Sequence, residues 1–151
     1  MKIKNSKFKI QNFGFTLIEM LVVISIIGIL ASLTLVSYTG AQKQTRDTER
    51  RSDLNQYRNA LENYAASNNG AYPGAGVGAA ETMCAADLQP DGFISGCPTD
   101  PIGGPSYGYQ YWSDGVDYTL WGALETGDYW KVCSSGKSGK SALNSEDCSD
   151  I

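Results

Sequence analysis

The sequence predicts an α+β fold in which a long N-terminal helix packs on a small antiparallel β-sheet. A membrane-length apolar run begins at residue 15, and no proline or strong turn signal follows it before residue 68. Short aromatic or alternating segments then occupy residues 107–133. The length of 151 residues suits one small domain, and 42% hydrophobic with 19% charged residues argues against disorder along the whole chain.

The first half of the predicted helix is long enough to cross a membrane. Residues 15–36 form a run of 22 residues in which Glu19 is the only charge. A helix of that length spans roughly 33 Å at about 1.5 Å per residue. Four lysines precede it and predict a cytoplasmic N-terminus, with the chain after Val36 exported; they are Lys2, Lys4, Lys7 and Lys9.

A removable secretory signal shares this pattern, with Thr39, Gly40 and Ala41 as its cleavage site. Glu19 argues against that alternative. A carboxylate near the start of a membrane segment costs a few kcal/mol unless it is paired, so a disposable signal has no reason to keep one. We expect Glu19 to have a partner.

Residues 14–19 read Gly-Phe-Thr-Leu-Ile-Glu, follow a Lys-rich leader and precede an apolar helix. This arrangement resembles the class III signal of type IV pilins and type II secretion pseudopilins, and the resemblance covers roughly residues 7–67. It implies a pilin fold. It also implies that a prepilin peptidase cuts between Gly14 and Phe15 on the cytoplasmic side and methylates the new amine of Phe15.

The resemblance divides the chain into four segments. Residues 1–14 are the cleaved leader, and residues 15–36 are the transmembrane and filament-core helix. Residues 37–67 continue that helix as an amphipathic segment. Residues 68–151 hold a loop, the antiparallel sheet and a disulfide-framed C-terminal loop.

Glu19 and Thr16 are the predicted assembly residues. Cleavage after Gly14 creates a positive amine on Phe15, about one helical turn from Glu19. In a staggered stack of helices, the amine of one subunit can neutralise Glu19 of the next, which fixes axial register more than it adds stability. The alternative is a Glu19 that only reaches water at the membrane interface.

A stripe of small residues on the same helix predicts close helix packing. Ser25, Gly28 and Ser32 are three and four residues apart and therefore share one face. Gly28 matches a glycine of pilin helices at which the helix can loosen on assembly. Glycine is also common in membrane helices, and that alternative stays open.

The second half of the helix carries an apolar stripe that a globular domain must cover. Leu54, Tyr57, Leu61 and Tyr64 recur at spacings of three and four. The intervening charges alternate in sign, which predicts a solvated or subunit-facing surface rather than a nucleic-acid site; they are Arg46, Asp47, Glu49, Arg50, Arg51 and Asp53.

Asn69 and Gly70 predict the end of the helix, and a Gly/Ala-rich loop to about Ala80 follows. Segments 107–112 and 117–124 flank Ser-Asp-Gly and predict a β-hairpin. Segment 129–133 is a third expected strand. A short Pro-Thr-Asp-Pro stretch at residues 98–101 resembles pseudopilins. A C-terminal loop framed by one of the two disulfides expected below favours a surface-displayed pilin instead.

Four cysteines lie in the exported part, where oxidising conditions favour disulfides. We expect the local pairing Cys84–Cys97 and Cys133–Cys148 among three connectivities. A zinc site is disfavoured, because the chain has no C-x-x-C pair and no histidine. Residues 135–141 resemble the end of a phosphate-binding loop. That motif requires a glycine at position 134, where this chain has Ser134.

No catalytic residue and no resident cofactor are expected. The chain lacks histidine, which excludes Ser-His-Asp and Cys-His catalysis. A calcium site is the one alternative, with Asp114, Asp117 and Asp128 as candidate ligands. Residues 81–151 carry eleven acids against three lysines, which argues against nucleic-acid binding there.

The sequence therefore predicts a structural subunit of a type IV pilus or pilus-like filament, with a pseudopilin of a secretion or competence system as the alternative. An exported enzyme or binding domain on an uncleaved anchor is a hypothesis of another class. The expected partners are further copies and other pilins, the prepilin peptidase, and an inner-membrane platform with a cytoplasmic ATPase. The expected location is the cytoplasmic membrane, followed by a pilus or a cell-envelope filament.

Overall fold

The computed structural model of the chain describes residues 14–74, 76–104 and 106–151. The predicted leader, apart from Gly14, lies outside the described residues. The chain forms two compact units, one ending at Thr39 and the other beginning at Gly40. The boundary between them falls within the first helix, α1 (Leu17–Ser67).

Helix α1 ends where the sequence predicts. Asn69 and Gly70 take up left-handed backbone conformations, with φ of 57° and 82°. The Gly70 N–H donates to the carbonyl of Ala65 at 2.8 Å, which satisfies a carbonyl of the last turn. The Asn-Gly pair therefore stops the helix through its backbone preferences.

The second unit contains a five-stranded antiparallel sheet. Its strands are β1 (Gly76–Ala79), β2 (Gln110–Ser113), β3 (Tyr118–Ala123), β4 (Tyr129–Cys133) and β5 (Ser138–Ser141), and they lie in the order β1-β2-β3-β4-β5. The predicted hairpin is β2–β3 and the predicted third strand is β4. Strands β2 and β3 are shorter than the predicted segments 107–112 and 117–124. The α+β fold, a long helix with a small antiparallel sheet, is confirmed.

Four elements were not predicted from the sequence. The expected Gly/Ala-rich loop contains β1, which pairs with β2. A short helix, α2 (Ala80–Met83), and a π-helical turn (Cys84–Leu88) follow it. The expected C-terminal loop contains β5, which pairs with β4. Strand β1 reads Gly-Val-Gly-Ala and β5 reads Ser-Gly-Lys-Ser. Because both carry few large apolar side chains, backbone pairing with β2 and β4 holds them in place.

The core lies between the second half of α1 and one face of the sheet. The predicted stripe is confirmed, because Leu54, Tyr57 and Leu61 are fully buried while Tyr64 is partly buried. The sheet and the α2 segment supply the rest of the core, namely Ala80, Met83, Cys84, Leu88, Tyr109, Tyr111, Tyr118, Leu120 and Val132.

The C-terminal tail (residues 142–151) covers the other face of the sheet. Thr119, Trp121 and Lys131 alternate with the core residues of β3 and β4, and all three are buried. The Lys131 ammonium donates to the carboxylate of Asp150 at 2.7 Å. Helix α1 therefore packs on one face of the sheet, and the C-terminal tail packs on the other.

Two disulfides tie these layers together. Cys84 is bonded to Cys97 with 5.8 Å between their Cα atoms, and Cys133 to Cys148 with 6.4 Å. This is the pairing expected from the sequence. The second bond joins β4 to the C-terminal tail.

Candidate functional site

The N-terminus of α1 carries a reciprocal cap formed by the two predicted assembly residues. The Thr16 backbone N–H and its Oγ1 both donate to Glu19 Oε2, each at 3.2 Å. The Glu19 N–H donates back to Thr16 Oγ1 at 3.3 Å. Such a capping box satisfies two backbone donors at a helix start, so within a single chain the Glu19 carboxylate is held by its own helix end.

The first unit presents its apolar side chains outward. Every described apolar residue from Phe15 to Leu33 is exposed within the chain, and α1 is long and apolar enough to cross a membrane. The small-residue stripe lies on this helix. The hydroxyls of Ser25 and Ser32 donate to the carbonyls of Leu21 and Ile29, at 2.7 and 2.8 Å, so neither hydroxyl needs water.

Next to the stripe serines, Gly28 leaves open space beside α1. An added Cβ atom at that position would meet no heavy atom within 4 Å, apart from the helix backbone itself. The face formed by Ser25, Gly28 and Ser32 is therefore exposed and carries only small side chains. Such a face allows another helix to pack closely in an apolar medium.

In the second unit, a buried ion cluster joins α1 to two loops. Arg50 is fully buried and donates to Asp100 through Nε and Nη2, at 2.5 and 3.1 Å. Its Nη1 donates to Asp47 at 2.8 Å and to Glu125 at 3.1 Å. Arg46 also holds Glu125 through two bonds of 2.5 and 2.7 Å. One helix thereby fixes the positions of both loops.

Hydrogen bonds favour the charged forms of Arg50 and Glu125 within the cluster. Burial alone would lower the pKa of Arg50, but the bonds to Asp100 and Asp47 outweigh it and raise that pKa above its ordinary value. The bond from Arg46 lowers the pKa of Glu125 to about 2, with a second contribution from Arg50. Asp47 also accepts the N–H groups of Glu125 and Thr126. The cluster therefore fixes α1 to the two loops that carry Asp100 and Glu125 through charged hydrogen bonds.

The sequence prediction of a solvated or subunit-facing surface is wrong for Asp47 and Arg50, which are 2% and 0% exposed and lie inside the globular unit. Their partners come from distant parts of the chain that periodicity cannot connect to α1. One part of the cluster did stand out in the sequence: Asp100 lies in the Pro-Thr-Asp-Pro stretch at residues 98–101, which resembles pseudopilins. The Tyr57 hydroxyl holds the same stretch through the carbonyl of Pro98, at 2.7 Å.

The structure does not bring the calcium candidates together. Asp114 and Asp117 lie in the β2–β3 turn and Asp128 lies in the β3–β4 turn, so the length of β3 separates them. Asp114 Oδ1 accepts the N–H groups of Val116 and Asp117, at 2.9 and 2.7 Å. Within the described ranges, no group of three or more His, Cys, Asp or Glu residues is placed to hold a metal ion.

The fold and the N-terminal site define a class of protein. Residues 11–35 match the family described as the prokaryotic N-terminal methylation motif. The capped start of an exposed apolar helix lies within this match, and the helix continues into a domain with a small antiparallel sheet. These features are those of a pilin-like structural subunit, as the resemblance implied.

The chain belongs to the family of the type II secretion system core protein G. It is 33% identical over 138 residues to that protein of Pseudomonas aeruginosa, which covers 87% of this chain and 89% of the relative. The Escherichia coli protein is 33% identical over 134 residues, covering 84% and 83%.

A type IV major pilin of Myxococcus xanthus is 39% identical over 49 residues, covering 32% of this chain and 22% of the pilin. No solved structure matches the chain with significant similarity. The relatives are thus a core protein of a secretion system and a major pilin, in agreement with the expectation that the chain is a pilin-like subunit.

Proposed function

We propose that the chain is a pseudopilin, the structural subunit of a pilus-like filament within a type II secretion machine. The observation that carries this proposal is the similarity to the secretion proteins along most of both chains. The pilin similarity covers only 32% of the chain. The surface-displayed pilin favoured from the sequence is thus the second candidate, and the pseudopilin alternative is the first.

Processing at Gly14 and Phe15 is the first step of this function. A prepilin peptidase removes the leader, and Phe15 becomes the methylated N-terminus. The new amine lies about one helical turn from Glu19, whose carboxylate accepts hydrogen bonds only from Thr16 among the described residues. Exchange of that local cap for the amine of a neighbouring subunit then sets the axial register.

The apolar half of α1 has two successive environments. Before assembly it lies in the cytoplasmic membrane, with the N-terminus inside and the globular unit outside. In the filament, residues 15–36 pack against the same segments of other copies through Ser25, Gly28 and Ser32. The two disulfides support an oxidising location for the globular unit.

The chain performs no chemistry of its own in this proposal. Its partners are other copies and other pilins, the prepilin peptidase, and an inner-membrane platform. A separate cytoplasmic ATPase supplies the energy of extrusion. The chain's contribution is a stable domain on a helix that can move from lipid into a bundle.

Deletion of the chain from its host separates the two candidates. For a pseudopilin, we expect exoproteins to accumulate inside the envelope while surface pili remain, and the wild-type chain to restore export. A Glu19→Leu chain should enter the membrane and lose its leader but fail to restore export. Normal export together with a loss of surface pili would contradict the proposal and favour the pilus subunit.

A further inference from the structure

One edge of the globular unit carries four positive side chains that no carboxylate pairs with in the part of the chain that the structure describes. Arg51, Arg58, Lys137 and Lys140 make no ion pair or side-chain hydrogen bond within the part of the chain that the structure describes. By contrast, Arg46, Arg50 and Lys131 are all paired with carboxylates. The four unpaired cations are named the cationic edge below.

Contacts between α1 and the β4–β5 hairpin place these cations together. The Arg51 guanidinium lies 4.5 Å above the Trp130 ring, and Trp130 is directly opposite Lys140 in the sheet. Arg51 and Lys140 also line one cavity of about 250 Å³. The Arg51 Nε is buried and has no hydrogen-bond partner. This guanidinium is therefore held in place by an aromatic ring rather than by a carboxylate.

Arg58 extends the same surface toward the β4–β5 turn. It lies seven residues after Arg51, about two helical turns, and so shares its face of α1. Its Nη2 is 4.0 Å from the position that a Cβ atom on Gly136 would take. Lys137 follows in that turn and is exposed. The cationic edge thus runs along α1 and the β5 side of the sheet.

The opposite edge of the sheet is acidic. Glu81, Asp87 and Asp91 follow the edge strand β1, and their side chains make no ion pair or hydrogen bond with the described residues. Burial, and then the charges of Glu81 and Asp53, raise the pKa of Tyr57, so that both carboxylates act on one phenol of α1. Glu81, Asp87 and Asp91 are named the acidic edge below.

The two edges cannot neutralise each other within one chain. The strand order places β1 and β5 at opposite sides of the sheet, four strand spacings apart. At about 4.8 Å per spacing, the separation is roughly 19 Å, well beyond the reach of an ion pair. A second copy can bring the two edges into contact.

We infer that the cationic edge of one subunit binds the acidic edge of the next subunit in the filament. Contact between two different patches on opposite sides of a molecule adds subunits in one direction, and it generates an open helical array when the rotation between subunits does not close a ring. The inference rests on the proposed function, since it requires a filament of this chain. It names a lateral contact between globular units that is separate from the pairing at Glu19.

Charge reversal at two positions on each edge tests this contact in the full chain: Lys137 and Glu81 are exposed, and Arg58 and Asp87 are half-buried. One variant carries Arg58→Glu and Lys137→Glu, a second carries Glu81→Lys and Asp87→Lys, and a third combines all four. The readout is the amount of chain in filaments isolated from cells. Like charges facing each other cost several kcal/mol, so each double reversal should lower the filament yield at least about tenfold.

The combined variant is the decisive one. It restores opposite charges between neighbouring copies, and we expect its filament yield to return to within about threefold of wild type. A matched reversal on the other face of the sheet, Glu146→Lys, should leave the yield unchanged. Leader removal before Phe15, read by mass spectrometry, and protease resistance of the globular unit should be normal in every variant.

Three results would overturn the inference. Wild-type yield in both double reversals would show that the edges do not meet. Loss without restoration in the combined variant would show that the two edges bind different partners, such as an anionic lipid surface for the cationic edge. An equal loss with Glu146→Lys would show that the effect is not specific to these edges. If wild-type chain forms no filaments, the proposed function fails instead, and the two failures are thereby distinguished.

Discussion

Removal of the Arg50 guanidinium is the sharpest test of the buried ion cluster. Arg50→Met keeps an apolar stem of similar length and deletes four hydrogen bonds to three carboxylates. Asp100 would keep the N–H groups of Ile102 and Gly103, and Glu125 would keep Arg46. Three acids would nevertheless face each other without their shared cation.

Breaking a buried ion pair by deleting one partner costs about 3–5 kcal/mol. We expect Arg50→Met to lose that much stability, because Arg50 is fully buried. For a domain of this size, each kcal/mol lowers Tm by about 4 °C, so the expected fall is about 12–20 °C. Thermal unfolding of the full chain in detergent, with the disulfides oxidised, measures it by near-ultraviolet circular dichroism.

Arg58→Met is the matched control, since it removes an arginine without an ion-pair partner from the same helix. We expect it to change stability by less than about 1 kcal/mol. An Arg50→Met chain that unfolds within about 4 °C of the control would refute the assigned role of the cluster.

Three further predictions concern the second unit. Because the folded pKa of Glu125 is about 2 against an ordinary 4.5, its contribution to stability is complete above about pH 5. It is lost as the pH falls to about 2, and a Tm that stays constant over this range would contradict the ion pair. Lys131→Met should speed hydrogen exchange in the C-terminal tail, because that ammonium holds the tail, whereas exposed Lys137→Met should leave exchange unchanged. Gly122→Ala should cost about 1–3 kcal/mol in chemical unfolding, because its Cβ would come 2.9 Å from a core tyrosine ring; Gly78→Ala, with open space, should cost less than 1 kcal/mol.

The N-terminal unit was predictable because its determinants are local in sequence. An apolar run with one carboxylate defines a membrane-length helix. The Thr16–Glu19 cap was not predicted, although the two residues are three apart, at the spacing of a capping box. The apolar stripe of Leu54, Tyr57 and Leu61 was also predictable, because helical spacing alone places these residues on one face. Local chemistry was sufficient for these features.

The missed features depend on contacts between distant residues. Arg50 meets Asp100 and Glu125 across 50 and 75 positions, so its burial left no periodic signal. Strands β1 and β5 carry few apolar side chains and are defined by pairing with β2 and β4. The alternation of charge along α1 predicted a solvated surface, because sequence alone does not show which carboxylates reach a given arginine.

The central claim is that the helix starting at Phe15 is retained and assembles through Glu19. Mass spectrometry of the N-terminus tests it most directly, on membrane and filament fractions of wild-type and Glu19→Leu cells. We expect methylated Phe15 as the first residue in both wild-type fractions, and the Glu19→Leu chain in membranes only. An intact Met1, a cut near Ala41, or normal Glu19→Leu filaments would contradict the claim.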